Sequence, residues 1–440
     1  ALIISMGLVL LLNTAWVNFV NILLMLSFSG MVMFPNSRSY FHLLIESVVR
    51  FFKAQAAPFV KTFDGETKKH LVLKKVLYYV IIPLAVLLVF ILIYAAASSA
   101  FYQHFEIVVK AIYDFFEMID MTFVWYVILG LILCNAMFMK TKQVGLYQTD
   151  LQSNTALNRI RIKHFLPFKF TGLKLQATSG VILLIALNIL IFYFIILDIV
   201  KVWFGFHWDG NYLREFVHEG TWMLVMSVFI SGAIALFFFR KNLNFYSKNL
   251  WLKRLTILWI AQNLLMTFSV MIRNYWYMNY FGLAYKRIAV FFFLLLTVIG
   301  LVTIIIKIMK RKSSYFLWKV NSFAFLSVLI ISMFFNWDVI IAKHNFKHYQ
   351  QSFIEYGFMV RLNNNTIPYT FKSLEELKKI NETQEKNIPF DIEQPYYLTY
   401  QEYYERMCDK KINFIKRYKA QNWLEWNLAD YLTYKKLCQQ

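Results

Sequence analysis

Long apolar runs, separated by short polar segments, fill the first three quarters of the chain. Eight of them reach the length of about 20 residues that an α-helix needs to cross the hydrocarbon core of a membrane. They cover residues 16–34, 76–100, 121–139, 179–202, 221–239, 255–272, 288–306 and 320–337. A shorter run, 1–12, is expected to be the end of a truncated span with further residues upstream. The pattern predicts an all-α, polytopic membrane protein with about nine spans.

The polar segments between the runs differ in charge, and basic ones alternate with acidic or weakly charged ones. Segments 35–75, 140–174, 240–254 and 307–319 are rich in Lys and Arg. Cytoplasmic loops of membrane proteins carry such an excess. The four basic segments are therefore predicted to be cytoplasmic. The residues after 337, which follow an outward span, are then predicted to be extracytoplasmic.

Composition changes this picture little. The chain has a net charge of +21, and a high positive charge is common in nucleic-acid-binding proteins. Residues 338–440, however, hold 15 of the 46 Lys and Arg and 13 of the 25 Asp and Glu. The excess therefore lies in the loops between spans. Charged residues make up 16% of the chain, against about 25% in soluble domains. A lipid bilayer, and no nucleic acid, is the expected partner.

The last hundred residues read as short helices of a small domain. We expect one helix to continue from the last span to about Tyr356, where the NNNTIP segment, 363–368, ends it. Capping-box patterns, Ser or Thr followed three residues later by Glu, predict helix starts at Ser373 and Thr399. Asn422, with Glu425, is expected to open the last helix. Its apolar face comprises Trp423, Trp426, Leu428, Tyr431 and Leu432.

These patterns divide the chain into a transmembrane helical domain, 1–337, and a helical extracytoplasmic domain, 338–440. Segments 40–54 and 106–120 have helical apolar periodicity and are predicted to be amphipathic helices at the membrane surface. In 40–54 the apolar face includes Ile45, and Arg50 lies elsewhere. Cys408 and Cys438 can form a disulfide only if the C-terminal residues face an oxidising compartment.

The spans contain few groups that a transporter would use. Their polar residues include Asn135, Asn188, Gln262 and Asn263, with a few Ser and Thr, and Asp198 is the one acidic residue in them. Proton- and ion-coupled transporters place ionisable side chains within the membrane. The sequence disfavours that class.

Candidate binding residues lie at the predicted outer ends of spans. His218 and Glu219 in FVHEGTW are either an acid–base pair or a helix start at the interface. In the hairpin RNYWYMNYFGLAYKR, the cations Arg273, Lys286 and Arg287 either bind an anionic lipid head group or pair with Glu219 and Asp338.

The stretch FFNWDVIIAKHNF, 334–346, follows the last span. Asn336 and Asp338 are expected to cap the next helix or pair with an outer Arg, and Asn345 shares a face with Asp338. His344 and His348 have a spacing that can chelate zinc, but no third ligand is identifiable and the metalloprotease Glu is absent. No metal site, catalytic set or cofactor motif is predicted.

These motifs carry a family resemblance. FVHEGTW, RNYWYMNYFGLAYKRI, NWDVIIAKHN and the terminal NWLEWNL resemble bacterial polytopic membrane proteins of the domain-of-unknown-function families numbered four-one-five-three and four-one-seven-three. The resemblance covers roughly 216–428, and the segment 346–421 is longer and richer in Tyr and Lys than that pattern. The resemblance implies a multi-pass protein of the bacterial inner membrane, and it implies no established activity. The matching positions are Asn336, Asp338, Ile341, Ala342, Asn345, Trp423, Trp426 and Asn427.

Three functions remain open. The preferred one is a non-enzymatic scaffold, sensor or complex subunit whose residues 338–440 dock a protein partner. A second is a carrier or conduit for an anionic amphiphile that enters at the outer leaflet. The third is an enzyme acting on lipid-linked envelope substrates through His218, Glu219, Asp338 and Arg273. We disfavour it because these residues match no specific catalytic pattern.

Overall fold

A computed structural model describes most of the chain. The described residues are 1–50, 106, 107, 109, 110, 114, 121–138, 145–157, 173–204, 221–239, 242–387 and 398–439. Within them the regular elements are helices, and β pairing is limited to an isolated bridge between Ala156 and Lys312. The predicted all-α class is confirmed for this part of the chain.

The helices described in the first three quarters of the chain are numbered in order. They are α1 (Leu2–Leu12), α2 (Ala15–Met33), α3 (Met121–Phe138), α4 (Gly145–Gln152), α5 (Leu173–Asp198), α6 (Thr221–Phe238), α7 (Leu250–Phe281), α8 (Tyr285–Met309) and α9 (Ser314–Met333). A π-helical turn, Ile199–Phe204, extends α5.

Five helices are long and apolar enough to cross a membrane: Ala15–Met33, Ala177–Asp198, Leu250–Phe281, Tyr285–Met309 and Ser314–Met333. Five of the predicted spans are thereby confirmed as span-length helices. The spans predicted at 121–139 and 221–239 coincide with helices α3 and α6. Within α6, the apolar helix Val225–Phe238 is shorter than the 18 residues required of a candidate span. The span predicted at 76–100 lies outside the described residues. The count of nine stays a prediction.

Helix α7 packs against α5, α6 and α8, and α8 packs against α9. Leu184, Trp259, Ile260 and Leu301 belong to the apolar cluster that these helices share. The polar residues predicted within the spans join helices: Asn188 Nδ2 donates to the Leu255 carbonyl at 3.2 Å, and Gln262 Nε2 donates to the Asn188 carbonyl at 3.3 Å. Amide side chains are common links between helices in a bilayer.

Helices α1 and α2 form a hairpin against α9. Asn13 ends α1 in the left-handed conformation that Asn tolerates, and α2 begins two residues later. Leu8, Val17 and Val20 pack with Met333 in a second apolar cluster. Trp16 Nε1 donates to Ser332 Oγ at 2.9 Å.

The last span and the helix that follows it are separate, although we expected one continuous helix. Helix α9 ends at Met333, with Phe334 as its C-cap, and α10 (Trp337–Lys347) begins after Asn336. The Asn336 side chain accepts a hydrogen bond from Val339 N at 3.2 Å, so the predicted cap is confirmed. The helix also ends before Tyr356, because α11 (Tyr356–Arg361) is a separate element.

The remaining helices are α12 (Ile367–Thr370), α13 (Leu374–Asn387), α14 (Tyr400–Ala420) and α15 (Leu428–Gln439), with 3-10 turns at Asn364–Thr366 and Trp423–Glu425. Both predicted capping boxes are present at the starts of α13 and α14. The last helix differs, since Asn427, not Asn422, accepts from the helix N–H of Asp430 at 2.9 Å. Buried Ile341, Tyr356, Leu377 and Tyr403 belong to one cluster that also includes Leu283.

The expected apolar face of the last helix is largely exposed. The side chain of Trp423 is 83% exposed, and Trp426, Tyr431 and Leu432 are exposed too. The buried side of α15 consists instead of Ala429, Asp430, Thr433 and Leu437. Cys408 and Cys438 are both free thiols, so the conceivable disulfide is not formed.

The chain divides into two compact units: Ala1–Met25 with Arg38–Phe41 and Gln152–Gln440, and Leu26–Ser37 with His42–Leu151. Residues 40–50 are helical as predicted. Glu46, Ser47 and Arg50 are buried, and Ile45 is 39% exposed. The place of this helix on the membrane surface stays a prediction. Most of segment 106–120 lies outside the described residues.

Candidate functional site

The predicted binding residues that the structure describes gather at one end of the spans, around the turn between α7 and α8. We call this region the junction and define it by Leu283, Tyr285, Asp338, Asn345 and Asn363. It joins the ends of two spans to the C-terminal helices α10–α15.

Asn345 holds helix α10 to the turn. Its Oδ1 accepts the backbone N–H of Leu283 at 2.6 Å, and its Nδ2 donates to the Leu283 carbonyl at 2.9 Å. Gly282 precedes Leu283 at a φ of +73°, which favours glycine. A Cβ at Gly282 would lie 2.8 Å from the Asn345 Oδ1. The turn therefore needs a glycine next to the pairing.

Asp338 is buried two turns earlier on the same face of α10. Its Oδ1 accepts hydrogen bonds from the Tyr285 hydroxyl and from the backbone N–H of Asn363, the latter at 3.0 Å. The carboxylate thus links α8, α10 and the segment that follows α11. This is pairing within the protein, one of the roles expected for Asp338, though the partners are a phenol and an amide instead of an Arg.

Asn363 and Asn365 extend the junction to the first hairpin. Asn363 Nδ2 donates to the Asn13 carbonyl at 3.1 Å, and Asn365 Nδ2 donates to the Leu12 carbonyl at 2.9 Å. The turn between α1 and α2 is thereby fixed to the same group of residues.

The two arginines of the α7–α8 hairpin bond within the protein. Arg287 donates to the Phe281 carbonyl at 2.7 Å and to the Gly282 carbonyl, and its guanidinium lies 4.6 Å from the Tyr277 ring centroid. Arg273 forms a buried ion pair with Asp198, and Ser269 donates to the same carboxylate. Lys286 is exposed. Among the described residues the acidic partner of Arg273 is thus Asp198 and not Asp338. His218 and Glu219 lie outside the described residues.

His344 and His348 stack on each other, with ring centroids 4.4 Å apart. Nδ1 of His348 lies 2.9 Å from the His344 carbonyl oxygen, and burial lowers the pKa of His344. Among the described residues no group of three or more His, Cys, Asp or Glu could hold a metal ion.

Lys410 is the junction's cationic neighbour, and sequence reasoning missed it. Its ammonium donates to the Val360 carbonyl at 2.7 Å and to that of Leu362. Burial lowers the pKa of Lys410 to about 8, although the Asp338 carboxylate acts in the opposite direction. Lys410 also lines a cleft of about 420 Å³ with Arg406, Asn413 and Arg417. No sequence signal marks this lysine among the other cations of α14.

Comparison with models of protein families shows which family the chain belongs to. A family model described as "Domain of unknown function (DUF4153)" matches residues 1–372. The chain belongs to this family. The match includes all five junction residues and is to the first of the two families that the sequence resembles, so membership of the second stays a prediction. No match was found among curated proteins or among solved structures.

Proposed function

We propose that this DUF4153 protein is a non-enzymatic scaffold or sensor subunit of a membrane complex, and that its helices α10–α15 dock a protein partner. The observation that carries the proposal is the junction. Three sets of buried or partly buried polar contacts join these helices to the ends of α7 and α8 and to the turn between α1 and α2. A partner bound to the C-terminal helices would therefore act on the spans directly.

The buried ionisable groups of the spans form ion pairs and hydrogen bonds within the protein, which supports a structural role for the spans. Within the described spans these groups are Asp198, Arg273 and Lys307. Asp198 and Arg273 pair with each other, and the Lys307 ammonium donates to the Phe239 carbonyl at 2.7 Å. Intramembrane charges that carry protons or ions usually line a pathway. These three instead bond within the helix bundle.

The same contacts weaken the two alternatives. A carrier for an anionic amphiphile was inferred from the hairpin cations, and Arg273 and Arg287 are engaged internally. An enzyme was inferred from Asp338, Arg273, His218 and Glu219. Asp338 and Arg273 belong to different hydrogen-bonded groups, and His218 and Glu219 lie outside the described residues.

We also propose that the protein lies in the bacterial cytoplasmic membrane with its C-terminus outside. Contacts between loops support this orientation. Ser313 N donates to the Thr155 carbonyl at 2.9 Å, which joins two basic segments assigned to the cytoplasm. The Asn13 turn, the Leu283 turn and α10, all assigned to the outside, meet at the junction.

The orientation is tested with the native thiol at Cys438, which is exposed. A Cys134→Ser/Cys408→Ser variant retains this thiol alone. An impermeant maleimide should label it on intact cells. In a cysteine-free background, Lys310→Cys should label only after permeabilisation, because Lys310 is exposed on the opposite loop. Labelling of Cys438 only from the cytoplasmic side contradicts the orientation.

Partner docking is tested by site-specific photo-crosslinking in cells. A benzophenone amino acid replaces Ile412 or Trp423, which are exposed on the C-terminal helices. Ile182 and Phe229, exposed on the spans α5 and α6, are the matched controls. We expect discrete protein adducts at one or both C-terminal positions and lipid adducts at the controls.

The crosslinked protein must also bind specifically. Its adduct should be lost when Asn345→Ala releases the helices from the junction, at equal expression of the membrane protein. A scan of exposed positions on α13–α15 that yields no discrete protein adduct rejects docking by these helices.

A further inference from the structure

A basic cleft lies on the C-terminal helices, apart from the junction. Helix α10 contributes Lys343 and Lys347, and the segment around α13 contributes Lys372, Glu376 and Lys379. Tyr369, from α12, also lines the cleft. The cleft has a volume of about 630 Å³, within the range of about 300–1,000 Å³ common for ligand pockets. We call it the lysine cleft.

The lysine cleft has four cations and one carboxylate, although residues 338–440 as a whole are nearly balanced in charge. Its Glu376 lies 4.0 Å from the ammonium of Lys372. Lys343, Lys347 and Lys379 have no carboxylate at ion-pair distance among the residues described here. No described carboxylate therefore neutralises these three ammonium groups.

Helix geometry places these cations on shared faces. Lys343 and Lys347 are four residues apart on α10, and like charges at this spacing destabilise a helix. Glu376 and Lys379 are three residues apart on α13 and also neighbours. A bound anion would reduce the repulsion between the Lys343 and Lys347 ammonium groups on α10.

Tyr369 brings in a fifth cation. Lys436 of α15 donates from its ammonium to the Tyr369 hydroxyl at 2.6 Å. The Lys343 ammonium lies 4.4 Å from the centroid of the same ring. The hydrogen bond from Lys436 lowers the pKa of Tyr369. Two ammonium groups from different helices thus converge on one phenol, which a scattered set of solvated surface lysines does not do.

The floor of the lysine cleft is partly apolar. Phe346, Tyr349, Pro368 and Ile380 line it, and Ile380 is buried. A ligand with an organic portion next to its charge would bury that portion against these side chains. An inorganic ion alone would leave them uncovered.

We propose that the lysine cleft binds a phosphate ester, with the phosphate between Lys343, Lys347 and Lys379 and the organic portion on the apolar floor. Phosphate suits this set because lysines act on it as separate point charges, whereas a single carboxylate is matched by one planar guanidinium. The ester is either a lipid head group or a soluble compound. The proposal does not rest on the protein partner proposed above, because side chains of this chain alone line the cleft.

The test measures how accessible each lysine is in the wild-type full chain in phosphatidylcholine nanodiscs. A water-soluble acylating reagent modifies exposed lysines, and mass spectrometry quantifies each one. The soluble arm adds phenyl phosphate, a soluble phosphate ester with an apolar portion, and the lipid arm replaces part of the phosphatidylcholine with phosphatidylglycerol. We expect several-fold slower modification of Lys343, Lys347 and Lys379 in one arm. Protection by phenyl phosphate indicates a soluble ester, and protection only by phosphatidylglycerol indicates a lipid head group.

Lys378 and Lys386, exposed on the same α13, are the internal controls and should react at unchanged rates. Two double variants remove the same charge, one from the lysine cleft and one from the control positions on α13. Lys343→Gln/Lys379→Gln should weaken binding of the active probe by roughly tenfold, and Lys378→Gln/Lys386→Gln should not. Protection in neither arm, or equal effects at cleft and control lysines, overturns the proposal.

Discussion

The side-chain amide of Asn345 pairs with both backbone polar groups of Leu283, which lies 62 residues earlier in the chain. Both residues are buried. The amide thus satisfies a donor and an acceptor that the turn between α7 and α8 leaves without helical partners. This pairing fixes the first C-terminal helix to the ends of two spans.

Replacing Asn345 with alanine should destabilise the protein by about 2–6 kcal/mol, since it leaves two buried backbone groups unsatisfied at about 1–3 kcal/mol each. Thermal or denaturant unfolding in detergent measures the loss. Gln350→Ala, at an exposed position just after α10, is the control and should have little effect. Equal stability of the two variants would show that the pairing contributes nothing.

Gly282→Ala should destabilise the same region. The substitution puts a Cβ at a positive φ and 2.8 Å from the Asn345 Oδ1, so that either the turn or the pairing must shift. The control is Gly7→Ala, because a Cβ at Gly7 in α1 meets nothing within 4 Å. Gly7→Ala should be neutral or slightly stabilising in unfolding experiments. If Gly282→Ala behaves like the control, the turn has more freedom than its geometry indicates.

Local patterns in the sequence predicted helix caps well. Asn336, Ser373 and Thr399 each cap a helix as expected, because a cap depends on residues three positions apart. The last cap shows the limit of such patterns. Asn422 and Asn427 are both followed three residues later by an acid, and packing of α15 on α1 and α12 selects the second.

Contacts between distant segments could not be predicted in this way. The sequence marked Arg273, Asp338 and Asn345 as candidates but gave the wrong or no partners for them, because partner choice depends on which helices are adjacent. Burial on the C-terminal helices was also misjudged. Trp423 is exposed although it is the kind of residue expected in an apolar face, since α15 buries small and polar side chains instead.

The buried pair of Asp198 and Arg273 gives a prediction for the span core. Arg273→Leu leaves an uncompensated carboxylate and should cost about 3–5 kcal/mol. Asp198→Leu should cost a similar amount for the converse reason. The double variant should be more stable than the sum of the two losses allows, because both buried charges are gone.

A double-mutant cycle from unfolding in detergent measures this coupling. The exposed pair of Glu106 and Lys110, in ion-pair contact at 2.5 Å, is the comparison and should couple by less than about 1 kcal/mol. Additive losses at Asp198 and Arg273 would mean that the two charges are solvated independently.

Lys410 makes the free energy of unfolding of the protein change with pH in the alkaline range. Burial lowers the pKa of Lys410 to about 8 in the folded protein, whereas the ordinary value is 10.5. Between these two values the unfolded chain binds more protons than the folded one, so the contribution of Lys410 to the free energy of unfolding rises with pH. Below about pH 8 and above about pH 10.5 this contribution is constant.

The contribution of Lys410 is isolated by comparing unfolding of the wild type with that of Lys410→Met across pH 7 to 11. Other groups titrate in both proteins, and the hydrogen bonds that Lys410 donates to the Val360 and Leu362 carbonyls add a nearly constant offset. The stability difference in favour of the wild type should therefore grow with pH above about 8. Lys416→Met, exposed on the same helix, should give a flat difference.

Asp338→Asn provides the decisive check, because the Asp338 carboxylate raises the pKa of Lys410 against the effect of burial. Without that charge the pKa should fall further, and the rise in stability should begin at a lower pH than in the wild type. An unchanged onset would mean that the Asp338 charge does not reach Lys410. A wild-type curve parallel to that of Lys410→Met throughout would mean that the ammonium is solvated and not buried.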